Sequence, residues 1–185
     1  MTDRPLKIAI TPELIDADEP QLIRQALAGG FDYVHLRHPA ASIRDMRNLI
    51  ETIPAHLHPR LKLHGHFDLL YSFNLGGVHL NSRCPSAPAG YRGKISCSCH
   101  SIDELTGLEG IEYATLSPIF DSISKIGYTS QFTPDHLRRL DEITNVAVIA
   151  LGGITPERVD LLADYNFSGY AVLGALRQFI DNSNK

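Results

Sequence analysis

The stretch VAVIALGGITPERV, residues 146–159, decides the fold of this chain. It opens with a run of small and branched apolar residues, which is typical of a strand covered on both faces in a parallel sheet. Gly152 and Gly153 follow, and then Thr155 as a candidate N-cap with Pro156 at the first helical position. The stretch therefore predicts a buried strand that turns through two glycines into a helix.

This turn is a candidate anion site, because glycines let a ligand approach the backbone and a helix start attracts phosphate. A tight connecting turn without a ligand is the alternative interpretation. A similar turn follows in FSGYAVLGAL, residues 167–176. Phosphate sites in (β/α)8 barrels often follow the seventh and eighth strands. We therefore predict phosphate binding at Gly152, Gly153, Leu173 and Gly174.

The rest of the chain alternates strand patterns with helical patterns. Residues 81–90 carry Pro85 and Pro88 and read as a loop that replaces one helix. Eight strands favour either a closed barrel or an open doubly wound sheet, and no G-x-G-x-x-G follows the first strand. We predict a compact (β/α)8 TIM barrel as one domain over residues 1–185. The six strands before the quoted stretch are expected at residues 7–11, 32–37, 61–64, 77–80, 94–98 and 113–116.

The composition limits the class of function. The chain has 185 residues, 43% hydrophobic content and a net charge of −4, which argues against a nucleic-acid-binding surface. No apolar run reaches the length of a membrane span, and three cysteines fit reduced thiols rather than a disulfide framework. We expect a cytoplasmic protein that acts on a phosphorylated small molecule, with neither nucleic acid nor membrane as a partner.

Polar side chains collect where the predicted strands end, which is where barrel active sites lie. Arg37 is a candidate bidentate anion clamp, with a barrel-rim arginine as the alternative. Other polar residues at strand ends are His35, His64, His66, Ser98 and His100.

The long sixth loop, residues 117–132, supplies Ser122, Ser124 and Lys125, two hydroxyls and a cation suited to phosphate oxygens. A solvated serine-rich loop is the alternative. Among nine histidines and three cysteines no spacing matches a zinc signature, so no metal ligand is assigned. The alternative is a metal site drawn from His35, His64, His66 and His100, which the barrel geometry permits. His79, inside the GVHL strand, reads as a hydrogen-bonded core histidine rather than a ligand.

Six short motifs in order along the chain resemble the thiamine phosphate synthase / TenI family. They are VHLR, GGVHL, SCSCHSIDEL, YATLSPIFDSISKIGY, ALGGITPERV and GYAVLGAL. The resemblance implies a TIM barrel, dimeric or larger, that acts on thiazole phosphate or thiamine phosphate. A synthase of this family joins hydroxymethylpyrimidine diphosphate to thiazole phosphate, with Mg²⁺ holding the diphosphate. Diphosphate leaves first, and the thiazole nitrogen captures the pyrimidine cation.

The resemblance also implies roles for individual residues. Arg37 and Ser98 match the family's diphosphate contacts, and Lys125 matches the lysine at the leaving group. Ser122 and Ser124 stand where the family usually has two threonines around the thiazole phosphate. The phosphate turn itself matches Gly153 with the backbone of Leu173 and Gly174.

Several family positions differ in this chain. The family's Gln-x-Arg-x-Lys reads HLRHP at residues 35–39, so the amide and the lysine are absent. The two Mg²⁺ aspartates fall on Gly65 and Cys84, which leaves a hard ion without its oxygen ligands. The proton-shuttling histidine of the TenI branch falls on Pro118. A different histidine, His64, His66 or His100, would then have to carry out the proton transfer.

Three hypotheses follow from this pattern. The first is a divergent synthase-like transferase, which would use Mg²⁺ if that activity is retained. The second is a TenI-like thiazole tautomerase. The third is a protein that binds thiazole phosphate or thiamine phosphate without catalysis. For each of them the resemblance implies a homodimer.

Overall fold

The computed structural model describes residues 4–121 and 132–183, and within them eight parallel strands close into one barrel. Each strand pairs with the next, and β8 pairs with β1 through Leu6 opposite Gly169 and Ala9 opposite Val172. This closure confirms the (β/α)8 barrel and excludes the open sheet. The strands are β1 (Leu6–Ile10), β2 (Tyr33–Leu36), β3 (Leu61–Leu63), β4 (Gly77–Leu80), β5 (Ile95–Cys99), β6 (Tyr113–Leu116), β7 (Ala147–Leu151) and β8 (Gly169–Val172).

The connections between strands carry short helices. Residues 81–94, between β4 and β5, hold no helix, as the two prolines predict. None of the described helices is long and apolar enough to cross a membrane. The α-helices are α1 (Glu19–Ala28), α2 (Ile43–Glu51), α3 (Asp103–Thr106), α4 (Pro134–Arg138) and α5 (Leu176–Ser183). Segments of 3₁₀-helix cover Ala55–Arg60, Phe67–Tyr71, Arg139–Glu142 and Pro156–Asp164.

Capping residues explain where two of these helices begin. Ser42 accepts from the Asp45 amide and the Asp45 carboxylate accepts from the Ser42 amide, which makes a capping box at α2. Thr133 accepts from the His136 amide at the start of α4. Thr155 differs from the prediction, since its side chain makes no cap bond and a 3₁₀-helix follows it. The Thr155 hydroxyl instead bonds the Glu157 carboxylate, which lowers the pKa of that group.

The barrel interior has two unlike halves. One half, on β7, β8 and β1, is apolar and consists of Ile8, Ile10, Ile149 and Ala171. The other half, on β2 to β6, carries the buried polar side chains His35, Lys62, His79 and Ser96, with Tyr113 beside them. We call these the apolar half and the polar half. Because barrel interiors are usually filled by branched apolar residues, the polar half needs an explanation.

Candidate active site

A cavity of about 510 Å³ opens at the carboxyl ends of the strands. Its wall includes Ile10, Leu36 and Leu151, the last residues of β1, β2 and β7. A cavity in this position is the usual active site of a (β/α)8 barrel. The predicted site residues in its wall are Arg37, His64, His66, Ser98, His100 and Leu173.

Arg37 is held at the cavity mouth by both its backbone and its side chain. Its amide donates to Thr11 Oγ1 over 3.0 Å, and its guanidinium Nη1 lies 3.0 Å from Glu13 Oε1. Behind it, the buried His38 imidazole lies 2.7 Å from the Glu19 carboxylate. The Arg37 side chain keeps 24% exposure, so it is positioned and still accessible to an anion.

Three histidines from neighbouring strands meet below the cavity. His35 Nδ1 lies 2.9 Å from His64 Nε2, and the His64 and His79 rings stack with centroids 4.3 Å apart. His35 Nε2 contacts the Tyr113 hydroxyl over 2.6 Å. His64 lines the cavity, whereas His35 is fully buried beneath it. We call His35, His64 and His79 the histidine cluster.

Burial keeps the histidine cluster uncharged. Burial is the main cause that lowers the pKa of His79 to about 3, and the positive charge of Lys62 lowers this pKa further. Burial likewise lowers the pKa values of His35 and His64 well below the usual range, helped by neighbouring imidazoles. At neutral pH the cluster therefore presents neutral nitrogens, each able to donate or to accept according to its tautomer.

The buried cation next to the cluster is neutralised locally. Lys62 Nζ lies 2.5 Å from Glu112 Oε2 and 4.3 Å from the centre of the Tyr113 ring. Lys94 holds the other Glu112 oxygen at 2.8 Å. Burial opposes ionisation of Glu112, yet hydrogen bonds from the two lysines hold its pKa below the usual value. The polar half is thus a connected network.

Hydroxyl groups line the cavity beside the cluster. Ser98 Oγ lies 2.9 Å from His79 Nε2, while His79 Nδ1 lies 3.0 Å from Ser96 Oγ. His100 stands at the rim, where its Nδ1 lies 3.1 Å from the Ser117 carbonyl oxygen. Ser98 can therefore offer an oriented hydroxyl to a ligand.

The glycine turn after β7 packs against the loop that follows β6. Gly152 and Gly153 have φ of +99° and +63°, which disfavours any residue with a side chain. A Cβ on Gly153 would lie 2.4 Å from the Asp121 carbonyl oxygen. The cavity wall includes Leu151 and Leu173. It does not include the adjacent glycines Gly152, Gly153 and Gly174. Ser122, Ser124 and Lys125 lie outside the described residues.

Sequence reasoning missed two members of the site, Tyr113 and Asn81. His79 is the buried, hydrogen-bonded histidine that the sequence predicts, and it also lines the cavity. Tyr113 begins the buried strand β6, whose sequence pattern is apolar. Its hydroxyl group, which contacts His35, is the only sign in the sequence of a polar role. Asn81 donates to the backbone oxygens of both His64 and His79, over 2.9 and 3.1 Å. An asparagine directly after the GVHL strand was the available signal.

Comparison with known proteins agrees with this architecture. The family described as thiamine monophosphate synthase matches residues 8–176. The chain belongs to this family. A thiamine-phosphate synthase of Salinibacter ruber is 28% identical over 172 residues, which cover 87% of this chain and 75% of that protein.

Solved structures extend the similarity to three dimensions. Thiamine phosphate pyrophosphorylase from Bacteroides thetaiotaomicron superposes with a TM-score of 0.84 and 31% identity, covering 97% of this chain and 96% of that one. The enzyme of the same name from Pyrococcus furiosus has a TM-score of 0.72 at 19% identity, with 97% of each chain covered, and supports the fold alone.

The cavity wall does not suit the Mg²⁺ ion that the family implies. Its described residues include no aspartate and no glutamate, and the oxygen donors among them are Asn81, Ser82, Ser98 and Ser117. Mg²⁺ prefers carboxylate and water oxygens in octahedral geometry. The side chains that dominate this wall are imidazoles and guanidinium groups instead.

Proposed function

We propose that this member of the thiamine monophosphate synthase family is a synthase-like transferase. It would bind thiazole phosphate near the ends of β7 and β8 and hydroxymethylpyrimidine diphosphate near β2 and β5. The observation that carries the proposal is that one continuous cavity wall includes Arg37 and Ser98 as well as Leu151 and Leu173. A bisubstrate reaction needs two anion subsites within reach of each other.

The diphosphate subsite would be built from cations and hydroxyls of the chain itself. The Arg37 guanidinium offers paired donors to phosphate oxygens, and Arg83 lies in the same wall. The Ser98 hydroxyl would add a further donor by turning its proton from His79 Nε2 toward the diphosphate. These groups would stabilise the charge that develops on the diphosphate as it leaves, which is the main electrostatic task in such a transfer.

The thiazole phosphate subsite would lie against backbone amides of the turns after β7 and β8. The glycine turn has a fixed path, since the loop after β6 packs directly on it. Apolar side chains of Leu151 and Leu173 would contact the thiazole ring. In this arrangement the two substrates approach each other over the histidine cluster.

The test is formation of thiamine phosphate from the two phosphorylated halves by the purified chain. We expect turnover, with at least a ~10-fold loss in Arg37→Ala because one charge-assisted contact contributes about 1.5–3 kcal/mol. Arg47→Ala is the matched control, because Arg47 lies on α2 with its guanidinium on Ser72 and outside the cavity wall. Equal losses in both variants would contradict the assigned subsite.

Other outcomes of this assay would redirect the assignment. Conversion of the thiazole tautomer without the pyrimidine substrate would identify a TenI-like isomerase, for which His64, a cavity histidine hydrogen-bonded to His35, is the candidate for proton transfer. Thermal stabilisation by thiazole phosphate with no turnover would identify a binding protein. The homodimer is likewise a proposal, and sedimentation of the purified chain tests it.

A further inference from the structure

The histidine cluster has the donor set of a transition-metal site. One ring nitrogen from each of His35, His64 and His79 lies within 4.8 Å of the other two. The three residues come from β2, the end of β3 and β4, so the barrel itself fixes their spacing. Two of them, His64 and His79, face the cavity.

We propose that His35, His64 and His79 bind one divalent transition-metal ion, of the zinc, cobalt or nickel class, with an open position toward the cavity. Imidazole nitrogens suit these ions, whereas Mg²⁺ and Ca²⁺ take oxygen ligands. Three protein ligands with a free position are typical of sites where a metal contacts a substrate or water. This inference does not rest on the proposed transferase activity.

Outer hydrogen bonds orient two of the ligands. Tyr113 holds His35 Nε2 at 2.6 Å, which leaves Nδ1 directed at the cluster. The Ser96 hydroxyl donates to the Val78 carbonyl oxygen and therefore accepts from His79 Nδ1, so that His79 Nε2 carries the lone pair. Metal-bound histidines almost always have such a partner on the second nitrogen.

Backbone contacts hold the other elements of the site together. The Asn81 amide donates to the carbonyl oxygens of both His64 and His79, which ties the end of β3 to the end of β4. His66 adopts a left-handed φ of 52° directly after the His64-Gly65 pair, and its Nε2 contacts the Ala41 carbonyl oxygen at 2.8 Å. A strained residue fixed in this way is typical of a functional turn.

A metal ion needs a free lone pair on each ligand nitrogen. His35 Nδ1 and His64 Nε2 lie 2.9 Å apart and share one proton. That proton would move to the other ring nitrogen of His64, which keeps the imidazole neutral. Lys62 adds a positive charge nearby, which Glu112, 2.5 Å from its Nζ, offsets in part.

The geometry requires two local adjustments. Ligand nitrogens around a tetrahedral ion stand roughly 3.3 Å apart, as bonds of about 2.0 Å demand. His35 Nδ1 and His64 Nε2, 2.9 Å apart, would move slightly apart, and the third imidazole would turn inward about its Cβ–Cγ bond. Ser98, which contacts His79 Nε2 at 2.9 Å, would then face the open position.

The experiment is a titration of the tag-free chain with Co²⁺ in the presence of excess Mg²⁺. We expect one Co²⁺ per chain, with the visible absorption of a low-coordinate nitrogen site, and displacement by Zn²⁺. His64→Gln and His79→Gln should each weaken Co²⁺ binding by more than ~100-fold. Loss of a metal ligand weakens binding more than loss of a side chain that only hydrogen-bonds a ligand. His56→Gln and His136→Gln, which change exposed histidines outside the cavity wall, should bind as the original chain does.

Tyr113→Phe keeps the proposal testable if a ligand variant fails to fold. It should weaken Co²⁺ binding by about 10-fold or more while the absorption bands remain. Equal binding by the original chain and by folded His64→Gln and His79→Gln would overturn the site, as would an equal loss in the His56→Gln or His136→Gln variants. Because no substrate is used, failure of the transferase proposal leaves this result unaffected, and the reverse also holds.

Discussion

The two halves of the barrel interior solve the packing problem in different ways. The apolar half, Ile8, Ile10, Ile149 and Ala171, needs only shape, and its backbone carries the glycine turn after β7. The polar half buries imidazoles, a lysine and a phenol, so each polar group must have a partner. The apolar half therefore depends on its backbone geometry, whereas the polar half depends on the pairing of its buried side chains.

The largest expected effect falls on the backbone of the apolar half. Gly153→Ala should lower the free energy of unfolding by about 2–4 kcal/mol, because left-handed φ strain adds to a clash with the Asp121 carbonyl oxygen. Urea unfolding measures this. Gly107→Ala is the control, since nothing lies within 4 Å of its Cβ position. Equal stability of the two variants would show that the turn is not strained.

A smaller effect is expected when the polar network loses one hydroxyl. Tyr113→Phe leaves His35 Nε2 without its 2.6 Å partner, which should cost about 1–3 kcal/mol of unfolding free energy. Tyr71→Phe is the control, because the Tyr71 side chain is 77% exposed. If the two changes destabilise the chain alike, the network contributes nothing beyond packing.

The polar half should also make the fold sensitive to acid. Unfolded His79 takes up a proton as the pH falls below 6.5, whereas the folded residue, with a pKa of about 3, does not. The unfolded state therefore binds more protons between these values, and stability falls as the pH falls. His79→Gln should reduce this slope by up to about 1.4 kcal/mol per pH unit.

The smallest effect on stability is expected at the cavity mouth. Arg37→Ala removes a partly exposed ion pair with Glu13 and should change the free energy of unfolding by less than about 1 kcal/mol. The same variant should lose pyrophosphate affinity, measured by calorimetry. A large loss of stability would mean that Arg37 belongs to the fold rather than to ligand binding.

The sequence predicted the elements whose signals are local. β4 lies at Gly77–Leu80, as expected, because a short apolar run that begins at a glycine is a signal contained within a few residues. Thr155 shows the limit of such signals, since its cap position is right but its hydroxyl bonds Glu157. A neighbouring side chain competed with the backbone there.

By itself the sequence determined the barrel, its family and the strand ends that supply the site. Periodicity and short motifs involve residues that are close in the chain, so they can be recognised without knowing the tertiary contacts. Only the tertiary structure decided that His35, His64 and His79 meet, that Tyr113 and Asn81 hold them, and that Gly153 packs on the loop after β6. Those contacts depend on the register of strands far apart in the chain, and register follows from closing the ring.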